Sequence, residues 1–325
     1  MEKIKRYLSI IGVRWLLITV FLLALMFLAF ASVDPLFPGS RNIANILRSV
    51  TPLLLIGVGQ SIVLISGNID LSIGSLIGMS SMVSATMLTR GVDPWASALS
   101  AIAFCVAFGL INGELAGRFK IPSYIATLGT MMICRGIAQI ANRNFDTGYI
   151  GAGAAGFRDV FFYGKTFGIY NIIWISFIIW GLAFFLLSKT RTGRHIYAIG
   201  NNPEAAGLAG VSVTLTIDKA YMISAACAGV AGLIATAEAG FGVMNEGSTY
   251  ELYAAAVAVL GGISTMGGRG LLIGTVAGSF IWVVLQNGLI RAGAPIALRN
   301  IAIGVIIIVV VLLDVSARQR RSSLR

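Results

Sequence analysis

The chain has 325 residues, of which 57% are hydrophobic and 11% charged, and its mean hydropathy is +0.88. This composition excludes a soluble globular protein and predicts an integral membrane protein. The formal net charge of +11 does not indicate nucleic-acid binding, because the Lys and Arg residues cluster at the ends of apolar segments, where they set membrane orientation.

Apolar segments of close to 20 residues recur along the whole chain. Segments of this length cross a bilayer as helices, whereas a β-barrel shows shorter, alternating segments. We therefore predict an all-α, polytopic bundle of about 10 transmembrane helices, with residues 1–325 forming a single transmembrane domain. The predicted spans are 12–31, 49–66, 71–89, 95–116, 122–141, 169–188, 219–239, 253–262, 270–289 and 295–313.

Two segments fit this count poorly. Residues 65–71 separate the second and third spans without a Lys or Arg, which predicts a broken or re-entrant helix. The apolar core of residues 240–270 is too short to cross a bilayer unaided. A count of eight spans therefore stays open beside the count of ten.

Glycine recurs at four-residue spacing inside the predicted spans. This spacing lets helix backbones approach closely in lipid, and it favours tight packing within one bundle over a dimer seam. The residues are Gly74 and Gly78; Gly109, Gly113 and Gly117; and Gly270, Gly274 and Gly278.

The cations also predict which side of the membrane each loop faces. With the N-terminus in the cytoplasm, fifteen of the twenty-four Lys and Arg residues fall on that side, as the positive-inside rule requires. Both termini are then cytoplasmic, and the number of spans is even. The fifteen are Lys3, Lys5, Arg6, Arg14, Arg118, Lys120, Lys189, Arg191, Arg194, Lys219, Arg269, Arg318, Arg320, Arg321 and Arg325.

The longest polar interruption in the second half of the chain, residues 189–219, is a predicted cytoplasmic loop. Residues 202–209 within it predict a complete short helix: Asn202 suits the N-cap, Pro203 the first helical position and Glu204 the positive helix end. A glycine closes the segment. Because roughly two turns are not stable alone in water, the helix predicts a partner surface.

Six polar residues at predicted membrane depth are candidates for a translocation path or gate. Each costs several kcal/mol in the bilayer unless it is paired or lines a water-filled path. They are Asn68, Asp70, Ser72, Asn112, Thr127 and Thr130. For Asp70, a buried structural cap is an equal alternative. The scarcity of intramembrane charges argues against an ion-coupled pump and fits a neutral, polyhydroxylated cargo.

Groups for catalysis or nucleotide binding are scarce. The chain has one His and thirteen carboxylates, mostly in loops, and no Ser-His-Asp, metal-ligand or nucleophile-elbow pattern. Residues 151–156 match a dinucleotide fingerprint but lack the flanking strand and helix, and a GxxxxGK[ST] motif is absent. We therefore predict that the chain is not an enzyme and binds no cofactor or metal itself.

Four motifs follow one another along the chain, and the sequence pattern to which they belong extends over residues 40–315. They are ISGNIDLSIGS from Ile65, INGxLxxxxKIPSYIATLGTM from Ile111, GNNPEAAGLAGVSV from Gly200 and LGGISTMGGRGLLIGTVAG from Leu260. In combination they resemble the permease subunit of bacterial ABC importers for monosaccharides, of the ribose, xylose, arabinose and galactose type.

The resemblance implies a type II ABC importer-like fold in the bacterial inner membrane. A second permease subunit, either the same chain or a paralogue, would line the path, and cytoplasmic ATPase subunits would bind ATP and Mg. A periplasmic or lipid-anchored sugar-binding protein would deliver the cargo. The resemblance places an ATPase-coupling helix at Asn202, Pro203, Glu204, Ala205, Ala206, Gly207 and Leu208.

The expected function is translocation of a monosaccharide, either a pentose or a hexose, driven by the separate ATPase. A nucleoside, autoinducer-2 or a polyol is the alternative cargo. A stand-alone secondary transporter is the less favoured alternative function.

Overall fold

The computed structural model describes residues 2–302, 304–306, 308, 309 and 312, with side chains from residue 17 onward. The helices are α1 Glu2–Val33, α2 Ser40–Ile65, α3 Ile73–Thr89, α4 Pro94–Gly117, α5 Ser123–Ala141, α6 Ala155–Arg158, α7 Asn171–Lys189, α8 Arg191–Asn201, α9 Pro203–Leu208, α10 Val213–Ala239, α11 Tyr250–Leu260, α12 Leu272–Arg291 and α13 Ile296–Ile306. Two short strands, β1 Lys165–Thr166 and β2 Ile169–Tyr170, form an antiparallel hairpin.

Among the described residues, six helices are long and apolar enough to cross a membrane: α2, α4, α5, α7, α10 and α12. Four shorter apolar helices, Leu17–Val33 within α1, α3, α11 and α13, occupy the other predicted spans. The prediction of a polytopic helical membrane protein is confirmed, whereas the count of ten stays a prediction. Part of the predicted span 295–313, and the cations Arg318, Arg320, Arg321 and Arg325, lie outside the described residues.

The predicted break between the second and third spans is present. Helix α2 ends at Ile65 and α3 begins at Ile73, so seven residues between them are not helical. Gly67 adopts a φ of +85°, and the N–H of Asn68 donates to the Val63 carbonyl at 3.1 Å. A left-handed glycine with this hydrogen bond is a common helix end.

Helix α10 lies at the centre of the bundle and packs against α2, α3 and α4. Close approach to α4 depends on glycine: a Cβ at Gly109 would lie 2.7 Å from the Tyr221 carbonyl oxygen, and one at Gly113 would lie 2.5 Å from the Asp218 Cα. The predicted packing of these glycines within one bundle is confirmed. Helices α4, α5 and α7 turn mostly exposed apolar faces outward.

The loops gather at two opposite ends of the bundle. At the first, Arg291 Nε lies 2.5 Å from Asp34 Oδ2, and the N–H of Thr147 donates to the Gly242 carbonyl. At the second, the N–H of Gly268 donates to a carbonyl at the end of α2. We call the first the hairpin end (residues 34–39, 90–93, 142–170, 240–249 and 292–295). We call the second the α9 end (residues 66–72, 118–122, 190–212 and 261–271).

Residues 240–249, the other predicted irregular segment, fold back among the helices. Arg135 of α5 donates from Nη1 to the carbonyl oxygens of Met244 at 3.0 Å and of Glu246 at 2.8 Å. Gly247 lies against Gly74 of α3, where neither residue has room for a side chain. This loop precedes the eleven-residue helix α11, which is shorter than a full span.

Candidate functional site

The non-helical segment between α2 and α3 is held by side chains from two neighbouring helices. From α5, Ser123 Oγ accepts the N–H of Ile69 at 3.2 Å, and Thr127 Oγ1 accepts the N–H of Leu71 at 3.1 Å. From α10, the Tyr221 hydroxyl donates to the Ile69 carbonyl at 2.8 Å. Because non-helical backbone in a bilayer must be satisfied by other protein groups, these bonds stabilise the break.

Asp70 is fully buried in this segment and accepts three hydrogen bonds. Its Oδ1 accepts the backbone N–H of Ser72 at 2.9 Å and the Ser72 hydroxyl at 2.6 Å, and its Oδ2 accepts the Ser224 hydroxyl at 2.9 Å. Hydrogen bonds to a carboxylate are stronger than neutral ones. The carboxylate therefore joins Ser72, the residue before α3, to α10, but Asp70 is not the N-cap of α3, because Ser72 occupies that position.

The same network extends to α4 and α5. Asn112 donates from Nδ2 to the Ser72 hydroxyl at 2.9 Å, and the Thr130 hydroxyl donates to Asn112 Oδ1 at 2.6 Å. Five of the six candidate residues, Asp70, Ser72, Asn112, Thr127 and Thr130, are thus brought into one buried cluster with their polar groups paired. In this conformation the cluster is separate from the cavity described next. Its part in a translocation path stays a prediction.

Asn68, the sixth candidate, lies on the wall of a cavity of about 310 Å³ at the α9 end. Four apolar residues of α11, with Leu64 of α2, Ile69 and Ile306, form most of the lining. The polar side chains are those of Asn68, Ser123 and Thr265. A cavity of this size accommodates a small molecule. Its polar residues are neutral, and they suit hydroxyl groups better than a charged cargo.

Sequence reasoning missed four of the residues that build this site: Ser123, Tyr221, Ser224 and Thr265. A signal was present for the first, because Ser123, Thr127 and Thr130 recur at i, i+4 and i+7 and share one face of α5. Tyr221 and Ser224 lie at i and i+3 on α10 among Ala and Gly, and no pattern marks them.

Two helices occupy the loop 189–219, and the sequence prediction contains only the second. Helix α8 buries Gly193, Ile196 and Ile199. Helix α9 follows with the predicted cap, since Asn202 Oδ1 accepts the N–H of Ala205 at 2.9 Å. Gly210, with a φ of +84°, closes the turn that follows.

Helix α9 projects from the α9 end. Leu208 is 92% exposed, and Glu204 is also exposed, whereas Ala206 is buried against the rest of the loop. A six-residue helix is too short to be stable without supporting contacts. The chain therefore presents an apolar side chain on a supported helix, an arrangement that suits docking to a partner.

Helix α8 is anchored on the loop 261–271. The Tyr197 hydroxyl donates to the Gly270 carbonyl at 2.8 Å, and Asn201 Nδ2 donates to the Gly268 carbonyl at 3.0 Å. Burial raises the pKa of Tyr197 to about 12, so its hydroxyl keeps the proton that it donates. The element that carries α9 is thus fixed to the bundle.

Comparison with known proteins identifies the family. The model of the family described as "Branched-chain amino acid transport system / permease component" matches residues 42–311. The ribose import permease protein RbsC of Escherichia coli (strain K12) is 32% identical over 305 residues, which are 92% of this chain and 94% of that protein.

Two further relatives come from the same strain. The D-allose transport system permease protein AlsC is 34% identical over 298 residues, 91% of this chain and 90% of that protein. The galactose/methyl galactoside import permease protein MglC is 33% identical over 301 residues, 86% of this chain and 88% of that protein. No solved structure matches the chain. The family match and the length of these alignments show that the chain belongs to this family of transport-system permease components.

Proposed function

We propose that this chain is the transmembrane permease subunit of an ATP-binding-cassette importer that translocates a monosaccharide, either a pentose or a hexose. The observation that carries the proposal is membership of the permease family together with relatives named for ribose, allose and galactose. Family members are transport components, and ATP hydrolysis belongs to separate subunits. A nucleoside, autoinducer-2 or a polyol is the alternative cargo, since the cavity is neutral and partly polar.

The proposed setting is the bacterial inner membrane, with the α9 end and both termini in the cytoplasm. Two observations support it. Helix α1 ends at Val33, next to Asp34 of the hairpin end, so its basic N-terminal turns belong to the opposite end. The α9 end also carries Arg118, Lys120, Arg191, Arg194 and Arg269. An even number of spans, ten in this proposal, satisfies that arrangement.

Helix α9, residues 202–208 with its cap, is the proposed contact with a cytoplasmic ATPase that binds ATP and Mg. Support comes from its projection, its exposed Leu208 and the absence of a phosphate-binding motif from the chain's own sequence. A second permease, identical or paralogous, would complete the path. A periplasmic or lipid-anchored binding protein would load it from the hairpin end.

Asn68, Ser123 and Thr265 are the proposed cargo contacts, because they bring neutral hydrogen-bonding groups to the cavity. The buried cluster around Asp70 has a supporting part in this proposal. It holds the non-helical segment that carries Asn68, so a change in that segment would reshape the cavity.

The test is reconstitution of the chain with its ATPase and binding protein in proteoliposomes, with labelled ribose, allose and galactose as probes. ATP-dependent uptake of one of these sugars is expected. Leu208→Ser and Glu204→Lys should each lower ATPase binding at least about tenfold, because both change the exposed side chains of α9. Leu36→Ser changes an exposed leucine at the hairpin end (71% exposed, against 92% for Leu208); it is the control and should leave ATPase binding unchanged.

Two results would overturn the proposal. One is uptake of sugar by the chain alone, without an ATPase, which would indicate a secondary transporter. The other is normal ATPase binding and uptake in both α9 variants after correct membrane insertion.

A further inference from the structure

The end of α8 touches the backbone of two segments that continue into the cavity wall. Gly200 lies against Ile65, the last residue of α2, and a Cβ at Gly200 would overlap the Ile65 carbonyl oxygen. The same Cβ would lie 2.6 Å from the backbone nitrogen of Gly268, and one at Gly267 would lie 2.7 Å from the Gly200 carbonyl oxygen. Three backbone segments therefore meet here with no side chain between them.

Hydrogen bonds close this contact. The N–H of Gly268 donates to the Ile65 carbonyl at 2.8 Å. Asn201 Nδ2 donates to the Gly268 carbonyl at 3.0 Å and to the Tyr197 carbonyl of its own helix at 2.7 Å, so one amide group ties the loop 261–271 to α8. The Tyr197 hydroxyl adds its bond to Gly270. We call this arrangement the α8 junction: Tyr197, Gly200 and Asn201 of α8 with Ile65, Gly268 and Gly270.

The two segments that α8 contacts, the end of α2 and the loop 261–271, both continue into the cavity wall. Asn68 follows Ile65 by three residues, Thr265 precedes Gly268 by three, and both line the cavity. On the other side, α9 begins at Pro203, two residues after Asn201. The α8 junction is thus a short route from the exposed helix to two sides of the cavity.

We infer that Asn201 is a positioning residue that transmits movement of α9 to the cavity walls carrying Asn68 and Thr265. The inference rests on the proposed function, in which a partner ATPase moves α9. A contact between backbones has no rotamers through which a displacement is absorbed. Helix α8 therefore moves together with Ile65, which Gly200 contacts, and with Gly268, or the hydrogen bond from Asn201 to Gly268 breaks.

The experiment uses the complete transporter in proteoliposomes and measures sugar transported per ATP hydrolysed, with labelled ribose, allose and galactose. Asn201→Ala is expected to lower this ratio about fivefold while the ATPase still binds and hydrolyses ATP. Tyr197→Phe removes one bond of the same junction and is expected to lower the ratio about twofold. A merely structural role would lower the yield of assembled complex and leave the ratio unchanged.

Matched controls come from the hairpin end. Asn142 donates from Nδ2 to the Phe145 and Asp146 carbonyls, and the Tyr163 hydroxyl donates to the Glu238 carbonyl at 3.0 Å. Asn142→Ala and Tyr163→Phe remove the same kinds of bond away from α8. Both are expected to keep the wild-type ratio of sugar to ATP.

A second measurement reads the cavity directly. A cysteine placed by Ala255→Cys on the α11 wall is labelled with a maleimide, against a background of buried native cysteines. Nucleotide binding by the ATPase is expected to change the labelling rate, and Asn201→Ala is expected to abolish that change. If Asn201→Ala does not assemble, Tyr197→Phe gives the decisive comparison.

The possible failures are distinguishable. A wild-type complex that takes up no sugar with ATP contradicts the proposed function, while its nucleotide-dependent labelling still tests the α8 junction. A sugar-to-ATP ratio and a labelling change that stay at wild-type values in assembled junction variants would overturn the inference. Absence of any nucleotide-dependent labelling in the wild type would overturn it as well.

Discussion

The two ends of the bundle each display one almost fully exposed apolar side chain, but they support it differently. Leu208 on α9 and Phe167 at the tip of the β-hairpin are both 92% exposed. At the α9 end, the supporting element is fixed by backbone contact at the α8 junction. At the hairpin end, support comes from arginine side chains lying on aromatic rings.

The arginine contacts at the hairpin end are extensive. Arg48 of α2 lies with its guanidinium carbon 3.9 Å from the centroid of the Phe162 ring and 4.7 Å from that of Tyr170. Arg158 donates from Nε to the Ala237 carbonyl and from Nη1 to the Tyr149 hydroxyl, each at 3.0 Å. Long side chains adjust by rotamer changes, so this end can deform without moving the helices.

The comparison teaches that similar exposure does not imply similar mechanical linkage. A displacement of Leu208 is transmitted to helix α2 through the α8 junction. A displacement of Phe167 is instead absorbed by arginine and aromatic side chains that can change rotamer. Four substitutions separate these two cases, and their expected effects decrease in the order given.

Gly200→Ala is expected to have the largest effect, because its Cβ overlaps the Ile65 carbonyl oxygen with no flexible side chain to yield. We expect a loss of about 3 kcal/mol in the free energy of unfolding. Thermal unfolding of the detergent-solubilised protein measures it. Gly181→Ala, in helix α7 with no neighbour within 4 Å, is the control, and there the change should be neutral or stabilising by up to about 1 kcal/mol. Equal melting temperatures of the two variants would contradict the close contact at Gly200.

Asp70→Ala, compared with Asp93→Ala, tests the buried network against a cap at the hairpin end. Asp70 accepts three buried hydrogen bonds, and its removal orphans the Ser72 and Ser224 donors, at a cost of about 2 kcal/mol. Asp93 is exposed and accepts the backbone N–H groups of Trp95 and Ala96 as the N-cap of α4, and its loss should cost about 1 kcal/mol. Chemical unfolding of both variants gives the order, and the reverse order would show that the Asp70 bonds add little.

Arg48→Met keeps an apolar stem but removes the cation above Phe162 and Tyr170. We expect a loss of about 1 kcal/mol, confined to the hairpin. Hydrogen exchange of residues 159–170 should accelerate while exchange in α8 stays unchanged. Arg143→Met, an exposed arginine of the same loop, serves as the control. Faster exchange in α8 would show that the two ends are linked after all.

Asp34→Asn is expected to have the smallest effect, and that effect depends on pH. The hydrogen bond from Arg291, with one from the Leu36 N–H, holds the pKa of Asp34 below its ordinary value of 3.8. The ionised carboxylate therefore stabilises the fold above pH 3.8, and this contribution is lost as the pH falls through the lowered pKa. The difference in melting temperature between wild type and variant should vanish in acid, and a difference that persists there would contradict the assignment.

Local patterns predicted the positions of the helices, while contacts between distant residues escaped prediction. Hydropathy indicated the spans, the absence of Lys and Arg from residues 65–71 indicated the break, and Asn202 with Pro203 indicated α9, because each signal lies within a few residues. Asp70 and Ser224 are 154 positions apart, and hydropathy reports burial without reporting partners. Helix α8 was missed because its buried face consists of one glycine and two isoleucines between cations.

The α8 junction separates what can diverge in evolution from what cannot. Its contact is made by backbone atoms, one amide and one hydroxyl, whereas the proposed cargo contacts are neighbouring side chains such as Asn68 and Thr265, which line the cavity. Substitution at residues 68 and 265 can therefore retune cargo selectivity without disturbing the mechanical link. Among permeases of this family, new cargo preferences should arise around the cavity, and Gly200 and Gly267 should be among the last positions to change.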